Sequence, residues 1–292
     1  MFNKKEKTPK SKPEKVIEPQ YYRSATNIQT LNYHVYYMST AEKIVYYILG
    51  FAVGAAVGYL FYGGIAKNEY GDPTTLTYII NTIVSVSVGL VTGKVFLPIR
   101  TEQILQKRQR QLRTQFRDML EALSTSMSAG KNVVDSFDSI YYDMSMQYGE
   151  SAFIIQELKV INNGLANGVN IEELLADFGA RSASEDIVGF ANVFEVCYRK
   201  GGNIKDTVRS TYDILSEKMA ISEDIATVVS GSKSQQYIML LLPIMMIVMI
   251  KSMSADFAAN FVTLAGIGAT TVAIGLFVIS YFVGKVMLNI KV

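Results

Sequence analysis

Three features of the chain lead to one expectation: an all-α protein with four membrane-spanning helices and a cytoplasmic six-helix bundle made of three helical hairpins. Hydrophobic residues make up 49% of the 292 positions and charged residues 18%, which is on the membrane side of globular composition. Between Arg100 and Gln235 there is no proline, and apolar residues return every three or four positions, which is helical spacing. Within that stretch one corner motif, a glycine, an asparagine and then an acid three positions on, occurs three times.

Residues 1–43 begin "MFNKKEKTPKSKPEK", basic and proline-bearing with almost no apolar content. A secretory signal needs an apolar region soon after a short basic start; this composition reads instead as a disordered cytoplasmic tail. The tyrosine-rich "LNYHVYYM" that follows is expected to lie on the membrane surface, with the single histidine, His34, facing the interface or a partner.

Four stretches meet the roughly 20 apolar residues that a helical span requires. They are 44–66, 76–99, 236–253 and 261–288. Ser39 and Glu42 form a capping-box start for the first. Gly50, Gly54 and Gly58 fall on one face of it, where backbones can approach closely, either within the chain or between subunits. Gly89-x-x-x-Gly93-Lys94 in the second lacks the spacer and the Ser/Thr of a phosphate loop. The third carries Pro243 and is short; a buried core helix is its alternative, and Lys251 snorkelling to the interface lets it span.

Lys and Arg mark the cytoplasmic side. Eight of them fall in residues 1–43. The loop 67–75 has only Lys67, with Glu69 and Asp72, and 254–260 has only the acid Asp256. Arg100, Lys107, Arg108, Arg110, Arg113 and Arg117 open the central segment, and Lys285 and Lys291 close the chain. Both termini and residues 100–235 are therefore expected inside, with 289–292 as a short cytoplasmic end.

The central segment, 100–235, has core candidates at Leu105, Leu112, Phe116, Leu120, Leu123 and Met127. Further ones are Phe190, Val193, Phe194 and Cys197, then Val208, Tyr212, Leu215 and Met219. In the three corners Gly130, Gly168 and Gly202 stand where a helix must stop, able to take positive φ. Asn132, Asn170 and Asn203 stand at the next N-cap. Asp135, Glu173 and Asp206 follow at capping-box spacing, near the positive end of the helix. Those acids would repel a phosphate, so the corners read as architecture rather than as anion sites.

With spans and corners placed, the chain resembles the inner-membrane platform proteins of type II secretion and type IV pilus machines, the type II secretion F domain family. "FRDMLEALSTSMSAGKNVVDSF" resembles the family's opening hairpin and "LKVINNGLANGVNIEELLADF" its second. "FANVFEVCYRKGGNIKDTVRSTYDILSEK" resembles the third, with Gly202-Asn203-Ile204 where Gly-Asn-Leu is typical and Tyr198-Arg199 where Gly-Glu is often found. "VVSGSKSQQYIMLLLPIMMIVM" resembles the exit into a proline-bearing span. One such domain between two pairs of spans resembles the Tad/Flp pilus branch, TadB-like, rather than the two-domain secretion members. The resemblance implies a mechanical part that hydrolyses nothing. Its implied partners are a hexameric cytoplasmic secretion ATPase, a sister platform protein (TadC-like) and pilin subunits, in a homo- or hetero-oligomer.

The chain shows no Walker motif, no metal-ligand cluster and no Ser/His/Asp set, so neither an enzyme nor a cofactor is expected. Cys197 is the sole cysteine and lies on an apolar face, where packing outweighs reactivity. Lys107, Arg108, Arg110 and Arg113, with Arg199 and Lys200 near the third corner, are candidate contacts for an ATPase or for anionic lipid; lipid explains the basic helix more cheaply than nucleic acid. Arg181 and Lys205 are candidates to join them. Two other classes remain open. A small-molecule transporter needs ionisable residues deep in its spans, and Lys94 and Lys251 lie near span ends. A membrane sensor usually carries a larger external domain than these loops can form.

Overall fold

The computed structural model describes residues 18–24, 28–65, 73–253, 260–261 and 263–287. The basic start of the tail, most of both expected external loops and the residues after Met287 lie outside the described residues. The described chain is almost wholly helical: α1 (Thr40–Tyr62), α2 (Thr75–Ser128), α3 (Val133–Tyr148), α4 (Phe153–Ala166), α5 (Ile171–Ser182), α6 (Glu185–Lys200), α7 (Ile204–Met253) and α8 (Leu264–Met287). A two-stranded antiparallel hairpin, β1 (Tyr21–Arg23) and β2 (Gln29–Leu31), pairs Tyr22 with Thr30 ahead of them.

α1, the first half of α2, the second half of α7 and α8 are each long and apolar enough to cross a membrane. The third span, for which a buried core helix was the alternative, is decided by exposure. Tyr237, Ile238, Met239, Leu241, Leu242, Met245 and Met246 are all more than half exposed. Such a run cannot be a core helix and finds its apolar surroundings in lipid. α2 and α7 pass through Pro98 and Pro243 without ending. With 54 and 50 residues, at about 1.5 Å per residue, they are rods of roughly 80 and 75 Å.

α1 and α2 pack through their glycines. A Cβ on Gly50 would lie 3.2 Å from Gly93 Cα, one on Gly54 3.1 Å from Gly89 Cα, and one on Gly58 3.3 Å from Ser85 Cα. The three glycines therefore serve packing within the chain, and Gly89 and Gly93 supply its other half. Lys251 reaches the end of α1. Its Nζ donates to the carbonyls of Leu60 (2.7 Å) and Phe61 (3.3 Å), at the end of α1 where carbonyls lack helical partners and the dipole favours a cation.

The second half of α2, α3 to α6 and the start of α7 form the six-helix bundle. Side-chain pairs show consecutive helices running antiparallel. Tyr148 at the end of α3 reaches Asp118 on α2, and Asn162 late in α4 reaches Phe137 early in α3. Arg181 ending α5 reaches Glu157 starting α4, and Lys218 on α7 reaches Asp186 starting α6. The core holds Leu112, Phe116, Leu120, Leu123, Phe137, Ile140, Ile154, Leu158, Phe178, Phe190, Phe194 and Val208, all buried. On α2 it starts at Leu112 rather than at Leu105, which is only half-buried, and Val193 is 49% exposed. On α6 the core face is Ile187, Phe190, Ala191 and Phe194, so Val193 lies one step off it.

Candidate functional surface

Because the bundle helices alternate in direction, all three Gly-Asn corners lie at the membrane-distal end. Gly130 and Gly168 have φ of +90° and +78°, a region that costs any residue with a Cβ. In the third corner the left-handed residue is Gly201, at +71°, and not Gly202. Gly202 instead donates its N–H to Cys197 O at 2.8 Å, bringing it against the Cys197 backbone. Asn132 and Asn203 accept the N–H of Asp135 and Asp206, as N-caps do. Asn170 has no side-chain cap bond.

The acids of the corners are not capping-box partners. In every corner the asparagine amide donates to the carboxylate three positions on: Asn132 to Asp135, Asn170 to Glu173 and Asn203 to Asp206. This closes each corner on itself and leaves the carboxylate beside the first turn of α3, α5 or α7, where the helix dipole favours it.

The opposite, membrane-proximal end is closed by residues 18–24 and 28–39, and here the structure corrects the expectation for "LNYHVYYM". Tyr33 does not lie on a membrane surface. It is 1% exposed and joins the bundle core, edge-on to Phe153 with ring centroids 5.8 Å apart. Its hydroxyl donates to Glu157 Oε1 at 3.0 Å, its N–H to Arg181 O at 2.9 Å, and Gln109 Nε2 donates to its carbonyl at 2.9 Å. His34 Nε2 is 3.1 Å from Ala180 O. Arg181 donates to both Glu157 oxygens, at 2.9 and 2.8 Å, to Asp177 at 3.0 Å and to Leu31 O at 3.2 Å. A strap preceding the first span is thus locked onto α2, α4 and α5.

The electrostatics of this lock follow from burial. Burial pushes Glu157 above the ordinary carboxylate range, against the pull of Arg181 and the Tyr33 hydroxyl. Burial would lower Arg181, and the Glu157 and Asp177 carboxylates more than reverse it, holding the guanidinium above its usual value. The two-pronged geometry is that of an ionised pair. Tyr33 is raised well above an ordinary tyrosine, first by burial and then by Glu157, so it remains a donor.

The candidate basic residues separate into four groups. Lys107 is exposed near the spans. Arg108 belongs to the strap: its guanidinium lies over the Tyr36 ring, 4.2 Å from the centroid, a cation–π contact. Arg110 and Arg113 line a pocket of about 50 Å³ with Asp186, Leu215, Lys218 and Glu223, room for a water or two and not for an organic ligand. Arg199, paired with Glu195 at 3.1 Å and Glu172 at 3.6 Å, and exposed Lys200 stand at the distal end. Asp186 is beside Arg110 while Arg199 is 13 residues further along α6, about 20 Å at the helical rise. The six residues do not form one patch. Arg181, also expected on the surface, is buried.

Cys197 is half-buried with its Sγ 3.3 Å from Thr207 Oγ1, a contact that holds α6 to α7. Among the described residues no three His, Cys, Asp or Glu side chains are arranged to hold a metal. The architecture is that of a multi-pass membrane protein whose helical domain is rooted in two pairs of spans. No family model, curated protein or solved structure matches the chain.

Proposed function

We propose that this protein is the inner-membrane platform of a pilus-assembly or type II-like secretion machine, TadB-like, that couples a cytoplasmic secretion ATPase to pilin insertion. One observation carries the reading: α2 and α7 run unbroken from the bundle into the bilayer. A helix that continues from the domain into its span carries rotation or displacement of the one to the other. The strap adds a third connection, since it ties the bundle to the start of α1 through Tyr33 and through Tyr36, whose hydroxyl donates to Glu42 at 2.8 Å. The resemblance of the three corners and the span layout to the F domain family supports the same reading.

In this reading both termini and the bundle lie in the cytoplasm, as the Lys and Arg distribution favours. The ATPase meets the distal end, where the corners and Arg199 and Lys200 stand. Lys107 lies close enough to the bilayer to meet anionic headgroups. The sister platform protein and the pilins meet the spans.

The test is affinity capture with the full chain, extracted in mild detergent from its native membranes and probed for a hexameric secretion ATPase and for pilins. The full chain is needed because residues 100–235 alone would lack Tyr33 and expose the site it fills. Recovery of the ATPase supports the platform. Recovery of neither partner from membranes that contain both removes it.

A further inference from the structure

We infer that two copies of this chain pair side by side, in parallel, through the outer face of α7. The observation is a seven-residue repeat. Ile214, Ile221 and Val228 are 65%, 49% and 78% exposed, although all three precede the span, where the surroundings are water. The same step reaches Gln235 and then, within the span, Leu242 (53%) and Met249 (61%). Four positions after successive members fall Lys218, which is paired with Asp186, then half-buried Ile225 and exposed Ser232, Met239 and Met246. This is the alternating three-and-four spacing of a coiled-coil seam.

From Ile221 onward the seam is separate from the face that α7 uses inside its own chain. Val229 is buried, Gln236 reaches Tyr281 O, and Lys251 reaches α1; Leu240, Ile244 and Ile247 are half-buried on that side. Lipid accounts for the exposure of Leu242 and Met249 but not for that of Ile214, Ile221 and Val228. Large aliphatic side chains left in water at regular helical spacing are the mark of an absent helical partner.

The occupant is a second copy for reasons of geometry and area. Two copies inserted in one bilayer share one orientation, so a two-fold axis between them stands along the membrane normal and sets their α7 helices parallel. Each seam residue then meets itself. From Ile214 to Met249 the strip is about 53 Å long by the helical rise; at one helix diameter in width it covers roughly 500 Å² per copy, about 1,000 Å² in all. That reaches the lower bound of a specific interface. Gln235, where the helix enters the bilayer, can hydrogen-bond to its copy, which sets the register. A strict seven-residue repeat winds the pair left-handed.

The pairing does not rest on the platform reading and is tested on the purified full chain. In a Cys197→Ser background, single cysteines replace Ile221, Val228 or, as a control off the seam, Met146 on α3, which is 80% exposed. Mild oxidation in nanodiscs should shift the Ile221→Cys and Val228→Cys chains from 32.4 kDa to twice that mass on a non-reducing gel, and leave Met146→Cys largely unshifted. Absence of the shift at 221 and 228, or an equal yield at 146, overturns the proposal. Val228→Asp, at an exposed position, should halve the mass seen by light scattering with helicity unchanged. A mass that stays double, or a wild-type chain that is monomeric until a second protein is added, overturns it as well.

Discussion

Arg181 is the residue on which the membrane-proximal end of the bundle depends. It is 4% exposed and holds Glu157, Asp177 and the strap carbonyl of Leu31. Arg181→Met leaves the Glu157 carboxylate buried without its cation, which should cost about 3–5 kcal/mol in denaturant unfolding of the full chain. Tyr33→Phe keeps the ring in place and removes one hydrogen bond to a charged group, so a loss of about 1.5–3 kcal/mol is expected. Hydrogen exchange should show residues 29–38 deprotected in the first variant and much less so in the second. Tyr148 makes a separate test. Burial, and then Asp118, push its pKa to about 12 from the ordinary 10.0. The folded value lies above the unfolded one, so its stabilising contribution is complete below pH 10 and is lost as pH rises through about 12. The tyrosinate absorbance step present in the wild type and missing in Tyr148→Phe should fall near pH 12. A step near 10 would remove the Asp118 contact from the account.

At the scale of elements, the α1–α2 pair is held by the closeness of two backbones. A Cβ on Gly54 would lie 2.5 Å from Thr92 Oγ1 and 3.1 Å from Gly89 Cα. Gly54→Leu must therefore push the helices apart, and overpacking of this kind costs about 1–3 kcal/mol or more. Gly189 in α6 has nothing within 4 Å of its added Cβ, so Gly189→Ala should stabilise the bundle by up to about 1 kcal/mol. Thermal unfolding of the two variants in one detergent separates close approach from helix propensity: a Gly54→Leu chain as stable as wild type would mean that the spans are not packed there.

The whole molecule is two pairs of spans joined to one bundle by two rods and a strap. On the proposed orientation, a cysteine replacing Ser128 beside the first corner should react with a membrane-impermeant maleimide only after the cells are opened. One replacing Glu69, between the first two spans, should react in intact cells. The reverse pattern would invert the protein and remove the cytoplasmic motor from the mechanism. Lys251 links the two span pairs by capping α1, so motion of α7 is felt by α1 as well as by the bundle.

The sequence by itself determined the helices, three of the four spans and the three corners, and left the third span to be decided by its exposure. Helical periodicity, span length and the glycine and asparagine signals at turns act within a few neighbouring residues, so they can be read locally. It also marked the α1 glycine face, because spacing alone puts Gly50, Gly54 and Gly58 together. Only the tertiary structure decided what those faces meet. Gly89 and Gly93 became packing partners across a helix pair, Gly201 rather than Gly202 took the left-handed turn, and the basic residues separated into four places. The strap is the largest such case. Tyr33 and Glu157 are 124 residues apart, and nothing near either one announces the other. An aromatic polar segment before a span has the same composition whether it lies on lipid or plugs a bundle. The choice depends on a buried Arg–Glu pair that exists only once α4 and α5 have packed.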